Sequence, residues 1–294
     1  MPKVRANGVE ISYECSGAGA PLLIIHGGFG GPQSTLVQQA RVIMAILANE
    51  PVQTITYDRR CAGQSEYVLT DYTLPDLAAD ARALLDQLGV ARSIVVGDSM
   101  GGMVAQQYAL SYPEAVSALC LVETGADLMS DTPFGKQGQA MVAQARAEGD
   151  AALFAARKEQ LRNPPAGPLF GPDTAETHER VRVQREAYLA ALQSVSDADL
   201  CTYFSGMTRN YAAFIGYDFA PRLHELRMPV CIIHGNTDTT VPFAYAQALR
   251  RGIPQAEFHE IEGAAHGLLN WPAAAAALRG WVRTVATEGA GIIH

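Results

Sequence analysis

The sequence predicts an α/β fold, in which a mostly parallel central sheet carries helices on both faces and is interrupted by an inserted helical block. In the first part of the chain, short apolar, β-branched runs alternate with helical segments, as is typical of parallel sheets covered by helices. The alternation stops near Gly125, and strand-like runs return only at Val230. We therefore predict a core made of residues 1–125 and 218–294, and a helical insertion over residues 126–217.

The composition favours a globular protein with an acidic surface. Of the 294 residues, 48% are hydrophobic and 18% are charged, so the chain can bury a large core. The net charge of −8, with no basic cluster, argues against nucleic acid as the main partner. No apolar run is long enough to span a membrane, and no signal peptide precedes the first strand-like residues. Five widely spaced cysteines without a C-x-x-C pair favour a reduced, cytoplasmic protein.

The first half of the chain begins with a predicted hairpin. Asn7-Gly8 suits a tight turn, and alternating apolar and polar residues follow it. Buried strands are predicted from three apolar runs, which are residues 22–25, 52–57 and 93–96. A helical stretch separates the first two runs and ends at about Ala48. These elements supply the alternation on which the fold prediction rests.

The clearest predicted helix covers residues 73–88. Its apolar residues fall on one face, which can pack on the sheet. Thr73 and Asp76 resemble a capping box at its start, and Gly89 closes its end.

The second half of the chain contains a long stretch without strands. After a strand over residues 116–122, the predicted insertion has helical periodicity and one break at residues 163–168. Strands return at residues 229–235 and 256–261, and a final helix is predicted over residues 272–285.

The most informative segment is Gly-x-Ser-x-Gly at residues 97–101, with Ser99 at its centre. A strand precedes it, and residues 103–110 have the composition of a helix. A passage from strand to helix in so few residues requires a sharp turn with the serine in a strained backbone region, which the flanking glycines make sterically feasible. The hydroxyl group of Ser99 is then exposed above the positive end of the helix. We interpret this turn as one that presents a nucleophile.

A serine hydroxyl group needs a base to accept its proton and a third group to orient that base. Asp238 lies just beyond one predicted strand, and His266 lies just beyond the last one. We predict Ser99, Asp238 and His266 as the catalytic residues. Glu123 also follows a strand and could reach the same histidine, so it is the second choice for the acid.

The remaining histidines are interpreted as structural or surface residues. His234 and His259 lie within strand-like runs, where a structural histidine with hydrogen-bonded ring nitrogens is the simpler interpretation. His178 and His224 belong to the insertion or its edge, and His294 is terminal. None of them has the place after the last strand that the predicted base requires.

Acyl transfer also requires donors that hold the negative oxygen of the tetrahedral intermediate. The backbone amide of Met100, directly after the nucleophile, is one predicted donor. The second should come from the glycine-rich segment after the strand at residues 22–25, with Gly28 preferred and Phe29 as the alternative. His26 in this segment is interpreted as a residue that bridges loops.

Four motifs make the chain resemble the α/β-hydrolase family, in its capped branch of esterases, proline iminopeptidases and haloperoxidase-like enzymes. They are His-Gly-Gly at 26–28, Gly-Asp-Ser-Met-Gly-Gly at 97–102, Gly-Asn-Thr-Asp at 235–238 and Gly-Ala-Ala-His at 263–266. The order of nucleophile, acid and histidine also matches the family. The resemblance covers about residues 4–124 and 222–287.

One further family motif, Asp-x-Arg-Gly-x-Gly-x-Ser, is matched only in part. Asp58, Arg60, Gly63 and Ser65 agree with it, but Cys61 stands where the family usually has glycine. If that position requires a positive φ angle, a cysteine there is strained or the loop has another conformation. The serine at position 99 also argues against relatives with an aspartate nucleophile, the dehalogenases and epoxide hydrolases.

The resemblance implies a serine hydrolase that cleaves carboxylic esters through an acyl-enzyme, without a metal or organic cofactor. The insertion would form a cap over the site. Six aromatic residues near the end of the insertion could be cap core or could shape the substrate pocket; they are Tyr203, Phe204, Tyr211, Phe214, Tyr217 and Phe219. The expected partner is a small-molecule substrate of largely apolar character, with no nucleic acid and no membrane, and a homodimer is left open.

Other activities on the same fold stay open at this point. An aminopeptidase would need carboxylates in the cap, for which Glu176, Glu179 and Glu186 are available, although such residues more often form a solvated helix face. A lactonase is a second alternative. A carbon–carbon bond hydrolase usually has asparagine where this chain has Asp98. A ligand receptor that keeps the fold without catalysis is the alternative from another class.

Overall fold

The fold is an eight-stranded sheet with helices on both faces, which confirms the predicted fold class. The computed structural model describes residues 1–28, 35–166 and 171–290. The strands are β1 (Lys3–Ala6), β2 (Val9–Gly17), β3 (Ala20–Ile25), β4 (Val52–Tyr57), β5 (Ser93–Asp98), β6 (Val116–Val122), β7 (Val230–Gly235) and β8 (Glu257–Ile261). Their order across the sheet is β1-β2-β4-β3-β5-β6-β7-β8.

Strands β3 to β8 are parallel, and β1 and β2 extend one edge in the antiparallel sense. The predicted hairpin is confirmed: β1 pairs with β2 across Asn7 and Gly8, whose φ angles are 49° and 79°. Two consecutive positive φ angles are those of the tight hairpin turn that Asn-Gly favours.

The described residues form nine α-helices. They are α1 (Thr35–Ile46), α2 (Leu74–Gln87), α3 (Met100–Ser111), α4 (Pro133–Glu148), α5 (Asp150–Arg162), α6 (Ala175–Ser194), α7 (Asp197–Phe214), α8 (Phe243–Gly252) and α9 (Pro272–Ala290). Short 3-10 helices occur at Pro113–Ala115, Ala220–Glu225 and Leu268–Asn270. Helix α8 was not predicted from the sequence. Among these helices, none has both the length and the apolar character that crossing a membrane would require.

The two faces of the sheet are covered by different helices because side chains alternate along each strand. On β3, Leu23 and Ile25 pack in the cluster that contains residues of α2, α3 and α8. Leu22 and Ile24 point to the other face, in the cluster with α1 and α9. All four side chains are fully buried. This double core fixes the carboxyl ends of the parallel strands along one edge, where the predicted site residues lie.

Between β6 and β7 the chain forms α4 to α7, which share a small hydrophobic cluster of their own. Its buried members are Met141, Ala145, Leu153, Phe154, Leu192, Leu200 and Phe204. Two polar contacts of α7 hold this group of helices in place. Arg209 donates from Nε to the carbonyl oxygen of Leu69 at 3.0 Å, and Asn210 donates from Nδ2 to the carbonyl oxygens of Arg60 and Cys61, each at 3.3 Å. The helices therefore rest on the loop that follows β4.

The loop after β4 keeps its turn although cysteine replaces the usual glycine. Cys61 has a φ angle of 57°. Of the two outcomes expected here, a strained cysteine or a different loop conformation, the strained cysteine is the one observed. Left-handed backbone costs a non-glycine residue on the order of 1–2 kcal/mol. The buried side chain of Cys61 offsets part of this cost, since its Sγ donates to the carbonyl oxygen of Val68 at 3.1 Å.

Candidate active site

Ser99 alone separates β5 from α3. Its φ and ψ angles of 51° and −120° lie outside the regions that L-residues prefer, as the sequence predicts for a sharp turn from strand to helix. The backbone N–H of Ser99 donates to the carbonyl oxygen of Val122 at the end of β6, at 2.9 Å. The residue is nearly buried, with 8% of its surface exposed. The turn thus holds the serine at the carboxyl edge of the sheet.

Two glycines at the start of α3 are required by close approach. A Cβ atom on Gly101 would lie 2.1 Å from the carbonyl oxygen of Ile25, and one on Gly102 would lie 2.5 Å from the side chain of Thr124. Both distances are far below any real carbon contact. The helix can therefore begin this close to the ends of β3 and β6 only because these residues have no side chain.

The predicted acid and base meet at the same edge of the sheet. Nδ1 of His266, in the loop after β8, lies 2.7 Å from Oδ2 of Asp238, in the loop after β7. The other oxygen of Asp238 accepts the backbone N–H groups of Thr240 and Val241, at 2.8 and 2.9 Å. Because both carboxylate oxygens are engaged, the orientation of Asp238 is fixed, and the hydrogen bond to Nδ1 in turn orients the imidazole ring.

Glu123 approaches the same imidazole from the end of β6. Its Oε2 lies 3.7 Å from Nδ1 of His266 and accepts the backbone N–H of Leu268 at 2.8 Å. Its φ angle of 41° shows that the backbone is strained at this position. Glu123 also accepts a hydrogen bond from the side chain of Asp98, the last residue of β5. Asp238 has the direct contact with His266, and Glu123 is the more distant acid.

Asp98 and Glu123 form a buried carboxylic pair. Burial raises the pKa of both groups, and the charge of Glu123 raises that of Asp98 further. Of the two groups, Asp98 therefore favours the protonated form more strongly, and its Oδ1 has no hydrogen-bond partner in the described structure. Glu123 faces His266.

The two carboxylates determine the charge of the imidazole. Burial lowers the pKa of His266, but Glu123 and Asp238 outweigh it and raise the pKa to about 9. In the resting protein at neutral pH the imidazole is therefore mostly a cation. This charge offsets part of the negative charge that Glu123 and Asp238 bring to the buried cluster.

The predicted oxyanion donors lie on two segments at this edge. Gly28 follows β3 with a φ angle of 68°, which suits glycine. Met100 is the first residue of α3, where backbone N–H groups have no partner within the helix. Phe29, the alternative donor, lies outside the described residues. His26 connects this segment to the loop after β4, because Nδ1 contacts the carbonyl oxygen of Gly27 at 2.8 Å and Nε2 accepts the backbone N–H of Arg59 at 3.3 Å.

A family model of the α/β-hydrolase fold matches residues 20–272. The match begins at β3, includes all the strand ends described above, and extends over most of the chain. The chain belongs to the α/β-hydrolase fold family.

Curated relatives of this hydrolase catalyse, or are thought to catalyse, several reactions. A protein of Azorhizobium caulinodans to which carbamate hydrolysis is attributed (RutD) is 28% identical over 90% of this chain and 91% of its own. A 2-hydroxy-6-oxononadienedioate/2-hydroxy-6-oxononatrienedioate hydrolase of Paraburkholderia phymatum is 28% identical over 88% and 85%. The bifunctional esterase/perhydrolase DCH of Acinetobacter calcoaceticus is 27% identical over 81% and 82%.

Solved structures resemble the hydrolase over nearly its whole length. The enol-lactonase of Burkholderia xenovorans superimposes with a TM-score of 0.71 and is 25% identical, covering 97% of this chain and all of its own. The relatives and the enol-lactonase share one fold but differ in reaction, so family membership leaves the substrate open.

The carboxylates of the hydrolase site could also be considered as metal ligands. Glu123, Asp238 and His266 each place one oxygen or nitrogen atom within 4.8 Å of the other two. However, the imidazole nitrogen that faces both acids is already hydrogen-bonded to Asp238. We therefore interpret these three groups as a hydrogen-bonded, charge-paired cluster.

Among the other histidines of the hydrolase, His234 reaches this cluster, since its Nε2 lies 3.7 Å from Oδ2 of Asp238. His234 is fully buried in β7 and contacts the carbonyl oxygen of Val241 at 2.8 Å, and burial lowers its pKa. His259 contacts Glu257 at 2.6 Å on β8, and His178 contacts Asp173 at 2.7 Å on the surface. His224 lies in the Ala220–Glu225 3-10 helix, and His294 falls outside the described residues.

Sequence reasoning missed the pairing of Asp98 with Glu123, although the sequence contained a signal for it. Asp98 ends one predicted strand and Glu123 follows the next one along the chain. Because β5 and β6 are adjacent and parallel, with Asp98 opposite Val122, their ends meet at the same edge of the sheet. Two acids at neighbouring strand ends are therefore expected to interact.

Proposed function

We propose that the protein is a serine hydrolase that cleaves carboxylic esters of small to medium, largely apolar substrates through an acyl-enzyme. The observation that carries the proposal is the 2.7 Å contact of His266 with Asp238, at the sheet edge where Ser99 occupies its strained turn. A nucleophile, a base and an orienting acid are the minimal set for this chemistry.

In the proposed first step, Oγ of Ser99 attacks the carbonyl carbon of the ester, and the π-electron pair moves to the carbonyl oxygen. The hydroxyl proton passes to His266, while Asp238 stabilises the imidazolium that forms. The backbone N–H groups of Gly28 and Met100 bind the negative oxygen. Collapse of the intermediate expels the alcohol, which takes the proton from His266, and water then releases the acid by the same steps.

The reactions of the relatives support an acyl-transfer reaction. Carbamates, esters and lactones share a carbonyl carbon bonded to oxygen, and the nucleophile attacks that carbon in each case. A carbon–carbon bond hydrolase is the second candidate, because the Paraburkholderia phymatum relative has that kind of substrate. Against it, this chain has a buried Asp98, whose pKa burial raises well above its usual range, where such enzymes usually have asparagine.

The aminopeptidase alternative loses its main support. Glu179 and Glu186 lie on the exposed face of α6, where both pair with Arg182 at 2.6 Å, and Glu176 is exposed on the same helix. These residues form a solvated helix face rather than a pocket for an ammonium group. A panel of p-nitrophenyl esters, amino-acid arylamides and a γ-lactone tests the assignment, and faster hydrolysis of the arylamides would contradict it.

We expect kcat/KM for an ester to rise with pH and to level off only above neutrality. Only the neutral imidazole can accept the serine proton, and the pKa of His266 is raised to about 9. Glu123→Gln removes the largest of the charges that raise this pKa, so the midpoint should move to lower pH. The measurement is kcat/KM between pH 5 and 10 for the wild type and the variant. A wild-type midpoint at or below 6.5, or one that the substitution does not move, would contradict this description of the cluster.

We further propose that residues 126–217 act as a cap that selects the substrate. The aromatic residues near the end of this segment occupy two environments. Phe204 belongs to the cluster within α4 to α7, whereas Phe214 and Phe219 pack with the core of the sheet, together with the half-buried Tyr217. Residues of the second group bridge the helices and the catalytic core, so they are the candidates for contact with an acyl chain.

Phe214→Ala and Tyr217→Ala are expected to change the preferred acyl length. The ratio of kcat/KM for a hexanoate to that for an acetate ester should change by roughly 10-fold, the effect of a few methylene contacts. Phe204→Ala is the control, since it should lower the melting temperature and leave the ratio unchanged. If the ratio is the same in all three variants, these aromatic residues are core only and another surface sets the specificity.

We also propose the cytoplasm as the compartment. Cys120 on β6 and Cys231 on β7 are direct register partners in adjacent strands, and both are free thiols. Closely placed thiols that stay unpaired are typical of a reducing environment.

A further inference from the structure

Arg59 is a buried cation without an acidic partner among the described residues. It follows Asp58 in the loop after β4, and only 1% of its surface is exposed. Burial lowers the pKa of its guanidinium, and the Nε and Nη1 atoms have no hydrogen-bond partner. The adjacent Arg60, in contrast, forms a two-point ion pair with Asp80 at 2.5 and 2.6 Å. A buried charge is normally paired, so the isolated state of Arg59 requires an explanation.

The contacts of Arg59 lead to the predicted oxyanion segment. Its Nη2 donates to the carbonyl oxygens of Gly28 and, at 3.4 Å, of Gly27. The ring of Phe214, from α7, covers the guanidinium with its centroid 5.6 Å away. The cation is thus held between the end of β3 and the helices that follow β6, and it is kept from water on both sides.

His26 strengthens the same connection. Burial lowers the pKa of its imidazole to about 3, so the ring is neutral and has a single ring proton. Because Nε2 accepts the backbone N–H of Arg59, the proton is on Nδ1, which donates to the carbonyl oxygen of Gly27 at 2.8 Å. The carbonyl group of Gly27 therefore accepts from two donors.

A carbonyl oxygen and the next N–H group belong to one conjugated peptide unit. A cation and a neutral donor on the oxygen of Gly27 draw electron density from that unit and make the N–H of Gly28 a stronger donor. The same contacts restrict rotation of the peptide plane. The N–H of Gly28 is the predicted oxyanion donor. Arg59 therefore acts on the carbonyl oxygen at the opposite end of the same peptide unit.

We propose that Arg59 is a positioning residue for the oxyanion hole, which it aligns and polarises through the peptide groups of Gly27 and Gly28. Its charge has no acidic partner among the described residues, and its effect on these peptide groups matters most when the carbonyl oxygen of the substrate becomes negative in the tetrahedral intermediate. Interactions that strengthen only at this stage accelerate the reaction without tightening substrate binding. This inference rests on the proposed acyl-transfer function.

The test compares Arg59→Gln and Arg59→Lys with Arg60→Lys. Arg59→Gln should lower kcat for a p-nitrophenyl ester by roughly 10- to 100-fold, with KM little changed. Arg59→Lys keeps a cation on a different side chain, so it should lower kcat less than Arg59→Gln does. Arg60→Lys weakens the neighbouring ion pair, so it should lower the melting temperature and keep kcat close to the wild type.

Two inhibitors separate polarisation from a structural role. A trifluoromethyl ketone forms a tetrahedral adduct with a negative oxygen, whereas the matching methyl ketone binds without such charge. In Arg59→Gln, affinity for the trifluoromethyl ketone should fall in proportion to kcat, and affinity for the methyl ketone should not change. If Arg59→Gln does not fold, Arg59→Met, which is also uncharged, carries the comparison with the same expected results.

Three results would overturn the inference. They are an unchanged kcat in folded Arg59→Gln, an equal loss of affinity for both ketones, and a loss in Arg60→Lys as large as in the Arg59 variants. A different result would contradict the proposed function itself: a wild-type protein that neither hydrolyses the esters nor binds the trifluoromethyl ketone.

Discussion

Replacing Ser99 with alanine is expected to abolish ester hydrolysis while the protein stays folded. The hydroxyl group forms the covalent bond to the acyl group, and no other described residue shares its position between β5 and α3. Removing the nucleophile from a set of nucleophile, base and acid typically lowers kcat by roughly four to six orders of magnitude. Steady-state kinetics with p-nitrophenyl butyrate, together with a thermal melt, would measure both effects.

Two controls make this result specific. Ser111→Ala removes a hydroxyl group at the opposite end of α3, where it accepts from Gln107 at 2.8 Å, and it should leave kcat unchanged. Ser99→Gly should be as inactive as Ser99→Ala and at least as stable, because glycine adopts a φ angle of 51° without strain. Turnover near the wild-type rate in either position-99 variant would exclude Ser99 as the nucleophile.

The second large effect is expected for Asp238→Asn. An amide keeps the size of the side chain but has no charge to stabilise the imidazolium, and it can fix the wrong tautomer of His266. The expected loss in kcat is roughly 10²- to 10⁴-fold. The rate should be compared at the alkaline plateau of each variant, so that a change in the pKa of His266 is not mistaken for a change in kcat.

Glu123→Gln is the matched comparison for Asp238→Asn. It removes a carboxylate from the same imidazole, but from 3.7 Å rather than 2.7 Å. Its plateau rate should be close to that of the wild type, although its pH profile is shifted. If Glu123→Gln had the large effect and Asp238→Asn the small one, the assignment of the acid would be wrong.

Much of the fold could be predicted from the sequence because its elements have strong local signals. The strands are apolar β-branched runs, and α2 has an apolar face and a cap at Thr73. Helix α8 was missed although its ten residues are amphipathic, because sequence reasoning about the segment after β7 considered only the acid and the next strand. Its buried face, with Ala246 and Leu249, packs in the same core cluster as β3.

The site could be predicted only as far as position in the chain determines position in space. Residues at the ends of parallel strands must share one edge, so Ser99, Asp238 and His266 could be placed together. The isolated charge of Arg59 could not be foreseen, because a sequence does not show which of two neighbouring arginines finds the acid. Arg60 reaches Asp80 on α2, while Arg59 turns inward.

The central claim is that Ser99 is a nucleophile activated by His266, and trapping the covalent intermediate tests it most directly. A fluorophosphonate reacts by attack of the serine oxygen on phosphorus with loss of fluoride, so the protein gains the mass of one phosphonyl group. Intact mass and tryptic peptide mass spectrometry would locate the adduct, and Ser99 lies in the tryptic peptide of residues 93–136. We expect a single adduct on Ser99 that Ser99→Ala abolishes and His266→Ala slows strongly. No adduct, or one on another residue that forms equally fast in Ser99→Ala, would contradict the assignment of a serine hydrolase.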